Sequence, residues 1–177
     1  LRLVGSGDLV TVSGFFASSS QRIERVEFSE GTVWDVAALA TAPFVGGDGD
    51  DYLTGTAGND RIEGRGGRDT LVGDAGNDVY EFGPGGGRDT VTETAGTDTV
   101  RLAAGVGVGD VRASRDESNY YLDLLGTGER ITIAGWYDDP AARIERVEFN
   151  NGTVWNSTTL NGKFTTATEY ADFYWGS

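Results

Sequence analysis

The sequence predicts an all-β protein in which short parallel strands form stacked coils, with antiparallel β segments at the flanks. Three observations predict it: a nine-residue period from Gly46 to Val100, apolar–polar alternation outside that stretch, and a long internal repeat. A fixed period determines the architecture of its segment, because each repeat is one structural unit that packs on its neighbours.

The nine-residue period is defined by aspartates and apolar residues at fixed positions. Four units run without a gap, and two more follow after a two-residue insertion. The aspartates at position six are Asp51, Asp60, Asp69, Asp78, Asp89 and Asp98. The large side chains two residues later are Leu53, Ile62, Leu71, Tyr80, Val91 and Val100.

Each unit is predicted to be a turn followed by a strand. The turn is rich in Gly, Asp and Asn, since glycine tolerates positive φ and Asx side chains bond to nearby backbone. The strand directs one large apolar side chain inward. Two units then make one coil of eighteen residues, and successive coils stack at about 4.8 Å. Alternate turns therefore lie above one another on the same edge.

Stacking the turns brings like charges together. Aspartates about 5 Å apart repel by roughly 1–3 kcal/mol per pair at an effective dielectric constant of about 80 to 20. A hard cation between the turns reverses the sign of this energy. Calcium takes roughly six to eight oxygen ligands, including backbone carbonyls, which glycine-rich turns expose. The turns are therefore predicted to bind Ca²⁺.

The repeat resembles the RTX family, the haemolysin-type calcium-binding nonapeptide G-G-x-G-x-D-x-U-x, which forms a parallel β-roll, a right-handed β-helix of such repeats. The resemblance implies that the position-six aspartate and the carbonyls at positions one, three and five share calcium with the turn two units along. The implied metal ligands are Gly46, Asp48, Asp50, Asp51, Gly55, Ala57, Asn59, Asp60, Gly64, Gly66, Arg68, Asp69, Gly73, Ala75, Asn77, Asp78, Gly86, Arg88, Asp89 and Asp98. With odd and even turns on opposite edges, we expect about four ions. Asp69 and Asp78 are then expected to serve two sites each, and the other aspartates one.

A second repeat organises the flanks. Residues 1–43 align with residues 122–164 at a constant offset of 121, and 18 of the 43 pairs are identical. Flanking segments of this kind are expected to close the roll, because a stack of repeats leaves apolar and hydrogen-bonding groups bare at its ends. The predicted division is 1–45 as the end of a preceding module, 46–104 as the calcium-binding roll, 105–164 as a C-terminal β capping segment, and 165–177 as the degenerate start of a next roll.

Each flank reads as antiparallel strands joined by tight turns. In the second copy, Gly126–Gly128 and Asn151–Gly152 mark two hairpins, and Asn156 is suited to cap a short helix. The strands predicted there are Val111–Ser114, Tyr121–Leu125, Arg130–Ala134, Arg146–Phe149 and Thr153–Trp155. The first copy carries the corresponding pattern in Leu1–Val4 and Leu9–Ser13.

Composition excludes several classes of function. The formal net charge is −14, which argues against nucleic-acid binding. The chain has no Cys, His or Met, so disulfides, thiol or imidazole catalysis and the usual zinc sites are excluded. No apolar run approaches the roughly 18 residues of a membrane span. The chain begins without Met and lacks a signal peptide, so it is expected to be a segment of a longer protein.

Two clusters outside the roll have alternative interpretations. The aromatic pairs Phe15-Phe16 and Trp136-Tyr137 would be either an exposed platform for sugar or the core of the flank, and the core is favoured because aromatic residues dominate small cores. The charged residues Arg143, Glu145, Arg146 and Glu148 are predicted to form surface ion pairs of little energy each.

The RTX resemblance implies export of the unfolded chain through a type I secretion channel, followed by folding on calcium outside the cell. The chain is thus expected to be a non-enzymatic, calcium-binding structural module of a large secreted bacterial protein, extracellular or associated with the cell surface. One alternative is an adhesin- or lectin-like module that binds carbohydrate or another cell-surface ligand. Another is the non-catalytic tail of a secreted hydrolase or epimerase.

Overall fold

The computed structural model describes residues 25–27, 29, 31–35 and 41–163. The chain divides into two compact units, Leu1–Ala42 and Pro43–Ser177. In the first unit, strands β1 (Arg25–Glu27) and β2 (Val33–Asp35) form an antiparallel pair. The predicted strands Leu1–Val4 and Leu9–Ser13, the pair Phe15-Phe16 and the degenerate roll start at 165–177 lie outside the described residues.

The second unit begins with a roll of seven short strands. They are β3 (Phe44–Val45), β4 (Tyr52–Thr54), β5 (Arg61–Glu63), β6 (Thr70–Ala75), β7 (Val79–Phe82), β8 (Arg88–Ala95) and β9 (Thr99–Leu102). Strands β3, β5, β7 and β9 pair in parallel in one sheet, and β4, β6 and β8 in the other. The parallel β-roll is confirmed, and its first strand lies just before the predicted start at Gly46.

Register places the apolar side chains in rungs. Leu71 lies opposite Leu53 on one side and Val91 on the other, and Tyr80 lies between Ile62 and Val100 in the second sheet. The core of the roll is a column of side chains that are 0% exposed: Ile62, Leu71, Tyr80, Val91 and Val100. Each strand thus contributes its large residue to the interior, as the nine-residue period predicts.

Five strands follow the roll, and we call residues 105–163 the end cap. They are β10 (Val111–Arg115), β11 (Tyr120–Leu124), β12 (Arg130–Ile133), β13 (Arg146–Glu148) and β14 (Val154–Asn156). Strand β12 pairs in parallel with β8, and β13 pairs in parallel with β9. Strands β10, β11 and β12, and likewise β13 and β14, are antiparallel neighbours. The end cap therefore extends both sheets of the roll.

Aromatic residues fill the end cap. The Trp136 and Tyr120 rings lie 4.6 Å apart between centroids, and those of Phe149 and Trp155 lie 4.8 Å apart. Trp136 is 1% and Trp155 4% exposed, so these residues belong to the core rather than to a sugar platform.

Helical structure is short in the described part of the chain. Helix α1 (Ser157–Gly162) begins after Asn156, whose side chain accepts from Thr159 N at 3.0 Å. Two 3₁₀ turns, Val108–Asp110 and Pro140–Ala142, connect strands. Within these residues no helix has the length and apolar character needed to cross a bilayer.

Candidate metal centre

The position-six aspartates form a ladder along each edge of the roll. The backbone N–H of one aspartate donates to Oδ1 of the aspartate in the stacked turn. The N-to-Oδ1 distances are 2.8 Å from Asp51 to Asp69, 2.8 Å from Asp60 to Asp78, 3.1 Å from Asp69 to Asp89 and 2.8 Å from Asp78 to Asp98. Odd and even turns thus stack on separate edges.

The second carboxylate oxygens differ along the ladder. Near its start, Asp51 Oδ2 accepts from Gly47 N at 2.5 Å and Asp60 Oδ2 from Thr56 N at 2.6 Å. Further along, Oδ2 of Asp69, Asp78 and Asp98 is buried and accepts no hydrogen bond from the described residues. A buried polar atom without a partner is costly. A cation bound between the turns would remove that cost.

Burial also shifts the acidity of these aspartates. Desolvation raises the pKa of Asp78 to about 6 and that of Asp89 to about 7, and the charges of Asp60 and Asp69 add to the respective shifts. Desolvation likewise raises the pKa of Asp98 to about 6, with the Asp78 charge adding to the shift. The turns therefore hold negative charge at a cost that a divalent cation would offset. Oxygen donors of this kind fit Ca²⁺.

Glycine at position one makes room for the carboxylates. A Cβ added at Gly46 would lie 2.7 Å from Asp51 Oδ2, and one at Gly55 would lie 2.7 Å from Asp60 Oδ2. Added Cβ atoms at Gly64 and Gly73 would collide with the carboxylates of Asp69 and Asp78. The predicted position-three residues, Asp48, Ala57, Gly66, Ala75 and Gly86, lie in the same turns.

The position-five side chains form hydrogen bonds with backbone groups outside their own turn. Asp50 Oδ1 accepts from Arg68 N, and Asn59 Oδ1 accepts from Asn77 N, both at 2.8 Å. Asn77 Oδ1 in turn accepts from Thr97 N at 2.8 Å. The Arg88 side chain donates to the carbonyl of Gly128 at 3.1 Å. These position-five side chains are thus engaged with backbone groups of neighbouring turns or of the end cap.

Three glutamates beside the turns are not among the metal ligands that the sequence predicts. The Tyr80 hydroxyl donates to Oε1 of Glu93, which is 4% exposed. Glu145 Oε2 accepts from Asp98 N at 2.8 Å, and Glu129 Oε1 accepts from Gly85 N at 2.5 Å. Glu93 occupies position one, where four earlier units have glycine, and this departure from the repeat could have identified it from the sequence. The two end-cap glutamates lie outside the nine-residue repeat, so the repeat gives no indication of them.

The predicted surface ion pairs are found only in part. Arg146 and Glu148 pair at 2.6 Å, and Arg101 of the roll joins Glu148 at 3.1 Å. The prediction is wrong for Glu145, whose carboxylate bonds to the backbone of Asp98. Arg143 donates to the Trp136 carbonyl at 3.0 Å. The end cap is thus joined to the roll by charged as well as apolar groups.

Stacked nine-residue turns with buried aspartates on both edges define a parallel β-roll repeat protein. Residues 45–80 match the family model of the RTX calcium-binding nonapeptide repeat, in four copies. Residues 1–38 and 121–159 match the haemolysin-type calcium binding protein related domain. Residues 45–80 are thus RTX calcium-binding nonapeptide repeats, and the segments on either side are similar to the haemolysin-type calcium binding protein related domain.

The chain is also similar to solved structures. One is the solution structure of the AlgE6R3 subunit from the Azotobacter vinelandii mannuronan C5-epimerase, at 28% sequence identity and a TM-score of 0.33. The match covers 59% of this chain and 79% of that chain. No curated protein matches the chain at a significant level.

Proposed function

We propose that this chain is a structural module that folds when Ca²⁺ binds between its stacked turns. The observation that carries the proposal is the set of buried Oδ2 atoms of Asp69, Asp78 and Asp98, which accept no hydrogen bond from the described residues. These atoms lie on the two ladders where the family motif places its metal. The carbonyls at positions one, three and five supply the remaining ligands, for about four ions.

The energetics favour folding linked to calcium. A metal that binds only the folded state stabilises it by RT ln(1 + [L]/Kd), which is about 2.7 kcal/mol at one hundred times Kd. Extracellular modules bind calcium with Kd on the order of 10⁻⁴–10⁻³ M. A module of this kind is folded at millimolar calcium outside the cell and unfolded in a calcium-poor compartment. RTX repeats are typical of secreted proteins, which supports an extracellular location and export in the unfolded state.

The role we infer is structural rather than catalytic. The buried aspartates are engaged with backbone N–H groups of stacked turns. Their arrangement holds coils together, and a metal between them would strengthen that hold.

Circular dichroism of the chain in chelator and then in millimolar calcium tests the proposal. We expect calcium to strengthen the β-sheet spectrum and to raise the melting temperature. Magnesium is the control, because its smaller ion demands near-ideal octahedral geometry and dehydrates reluctantly. A spectrum and melting temperature that calcium leaves unchanged would refute calcium-linked folding.

A further inference from the structure

The sixth nonapeptide unit carries an acidic side chain at position one, where the first four units have glycine. Position one is Gly46, Gly55, Gly64 and Gly73 in the first four units and Glu93 in the sixth. Glu93 lies in β8 with its side chain inside the roll, 4% exposed. Its Oε2 accepts from Thr94 N at 3.3 Å, and its Oε1 accepts from the Tyr80 hydroxyl. An acidic group is thus buried within the column of apolar rungs.

Glu93 shares its pocket with two ladder aspartates. Carboxylate oxygens of Asp78, Glu93 and Asp98 all lie within 4.8 Å of one another. The pocket exists because Gly73 lacks a side chain: a Cβ there would collide with Glu93 Oε1, Asp78 Oδ2 and the Tyr80 hydroxyl. The Asp78 and Glu93 carboxylates and the Tyr80 hydroxyl therefore border the space above Gly73, and a carboxylate oxygen of Asp98 lies within 4.8 Å of the other two carboxylates.

Two of these carboxylates have an oxygen without a partner. Asp78 and Asp98 are both 0% exposed, and Oδ2 of each accepts no hydrogen bond from the described residues. Asp78 Oδ2 points toward the space above Gly73, where Glu93 Oε1 also lies. A fully buried carboxylate oxygen that accepts no hydrogen bond and lies beside a second acid favours the binding of a cation there.

We propose that Asp78, Glu93 and Asp98 form a three-carboxylate cation site beside the Tyr80 hydroxyl, and that it is the tightest site of the roll. The proposal rests on the proposed calcium-binding function and adds a ligand outside the nonapeptide pattern. The cation is Ca²⁺ or a trivalent ion of similar size, since all donors are hard oxygens. Affinity follows the charge of the ligands, so the third carboxylate strengthens binding over sites built from two aspartates. Glu93 also lies beyond residues 45–80, the part that matches the repeat family.

Titration of the calcium-loaded, folded chain with Tb³⁺, which competes for the calcium sites, tests the proposal, because tyrosine excitation is transferred to a terbium ion bound nearby. We expect the first equivalent to bind most tightly and to give strong emission. Glu93→Gln keeps the size of the side chain and removes its charge, and Glu93→Gly restores the repeat pattern. Both should weaken the tightest equivalent by about tenfold or more. Glu117→Gln, at an exposed position in the end cap, is the control and should leave it unchanged.

Calcium calorimetry on the same proteins distinguishes a failure of the proposed calcium binding from a failure of the Glu93 site. Wild-type protein that binds no calcium would refute the proposed function. Wild-type protein that binds calcium, together with a Glu93→Gln variant that keeps the tightest equivalent, would overturn the Glu93 site and leave the proposed function standing. That result would assign Glu93 to the Tyr80 hydrogen bond alone.

Tyr80→Phe gives a second test that does not depend on the folding of the glutamate variants. It retains all three carboxylates, so the tight equivalent should persist. The terbium emission of that equivalent should fall, because the nearest donor ring is changed to one that absorbs weakly at the exciting wavelength. Unchanged emission from the tight equivalent would place the ion away from Tyr80 and overturn the proposal.

Discussion

The backbone N–H of Asp98 donates to Glu145 Oε2 at 2.8 Å. In the earlier turns of this edge, the corresponding N–H groups of Asp60 and Asp78 donate to the next aspartate of the ladder. The even ladder therefore runs from Asp60 through Asp78 and Asp98 into the end cap. Glu145 acts as the last carboxylate of the series, although it lies 47 residues beyond Asp98. This bond couples the last turn of the roll to the docking of the end cap.

Glu145→Ala should weaken that coupling. The variant leaves the buried Asp98 N–H without its acceptor, at a cost of about 1–3 kcal/mol, and the calcium concentration at the folding midpoint should rise. Glu145→Gln retains an acceptor and should recover part of the loss. The midpoint is measured by circular dichroism during calcium titration. Glu117→Ala serves as the exposed control, and equal midpoints for the two alanine variants would contradict the coupling.

The ladder predicts unequal roles for the aspartates. From the nine-residue spacing, Asp69 and Asp78 are the aspartates with a stacked neighbour on each side. In the structure Asp98 also has two, because it hydrogen-bonds to both Asp78 and Glu145. Alanine at any of these three should raise the calcium midpoint more than alanine at Asp51 or Asp60. Affinity falls with each anionic ligand lost.

Calcium titrations of the five variants, followed by tryptophan fluorescence, check this order. Asp51→Ala and Asp60→Ala are matched controls, because each removes the same chemical group from the start of a ladder. The largest shift at Asp51 would show that the stacking order is not the order of energetic importance.

Two glycines at position four should respond differently to alanine. Gly76 has φ of +134°, and a Cβ there would lie 2.6 Å from the carbonyl carbon of Gly58 in the stacked turn. Gly58 itself has room, with the nearest atom, Thr56 Oγ1, 3.5 Å from an added Cβ. Gly76→Ala should cost about 2–4 kcal/mol through backbone strain and overlap. Gly58→Ala should change stability by about 0.5 kcal/mol or less.

Urea unfolding in saturating calcium measures both glycine variants. The comparison holds the substitution and the repeat position constant, so a difference reports the backbone strain and the close stacking at Gly76. Similar losses at the two positions would mean that the turns are not packed as closely as this register implies.

Metal-free protein should lose stability as the pH rises. Burial raises the pKa of Asp78, Asp89, Glu93 and Asp98 to about 6, 7, 8 and 6, respectively. The folded chain then binds more protons than the unfolded chain between roughly pH 4 and pH 8. The stabilising contribution is fully present below about pH 4 and is lost as the pH passes through these raised values. Calcium binding requires the ionised carboxylates, so calcium should stabilise the protein most at the upper end of this pH range.

Melting temperatures in chelator at pH 5, 6, 7 and 8 check this dependence. We expect the melting temperature to fall with increasing pH in chelator and to fall less, or to rise, in saturating calcium. A metal-free melting temperature that increases from pH 5 to pH 8 would contradict it.

Much of the fold follows from the sequence because the repeat is local. The inward side chains of Ile62, Leu71 and Tyr80 are determined by the nine-residue phase, and the same phase places each aspartate in a turn. Contacts of Glu145 and Glu129 could not be predicted in this way, because they depend on how the end cap docks. Glu93 was visible as a departure from glycine, but its inward direction depends on the space above Gly73 in another coil.

Strands β12 and β13 of the end cap pair in parallel with β8 and β9 of the roll, so the order in which these segments are synthesised matters for folding. Its bulky core, with Trp136 and Tyr120, is the template on which the coils of the roll can add. Protein synthesis supplies this template last. At about 5–20 residues per second, the roughly 60 residues that follow the roll take about 3–12 s to emerge. For that interval the last strands of the roll, β8 and β9, lack the end-cap strands with which they pair.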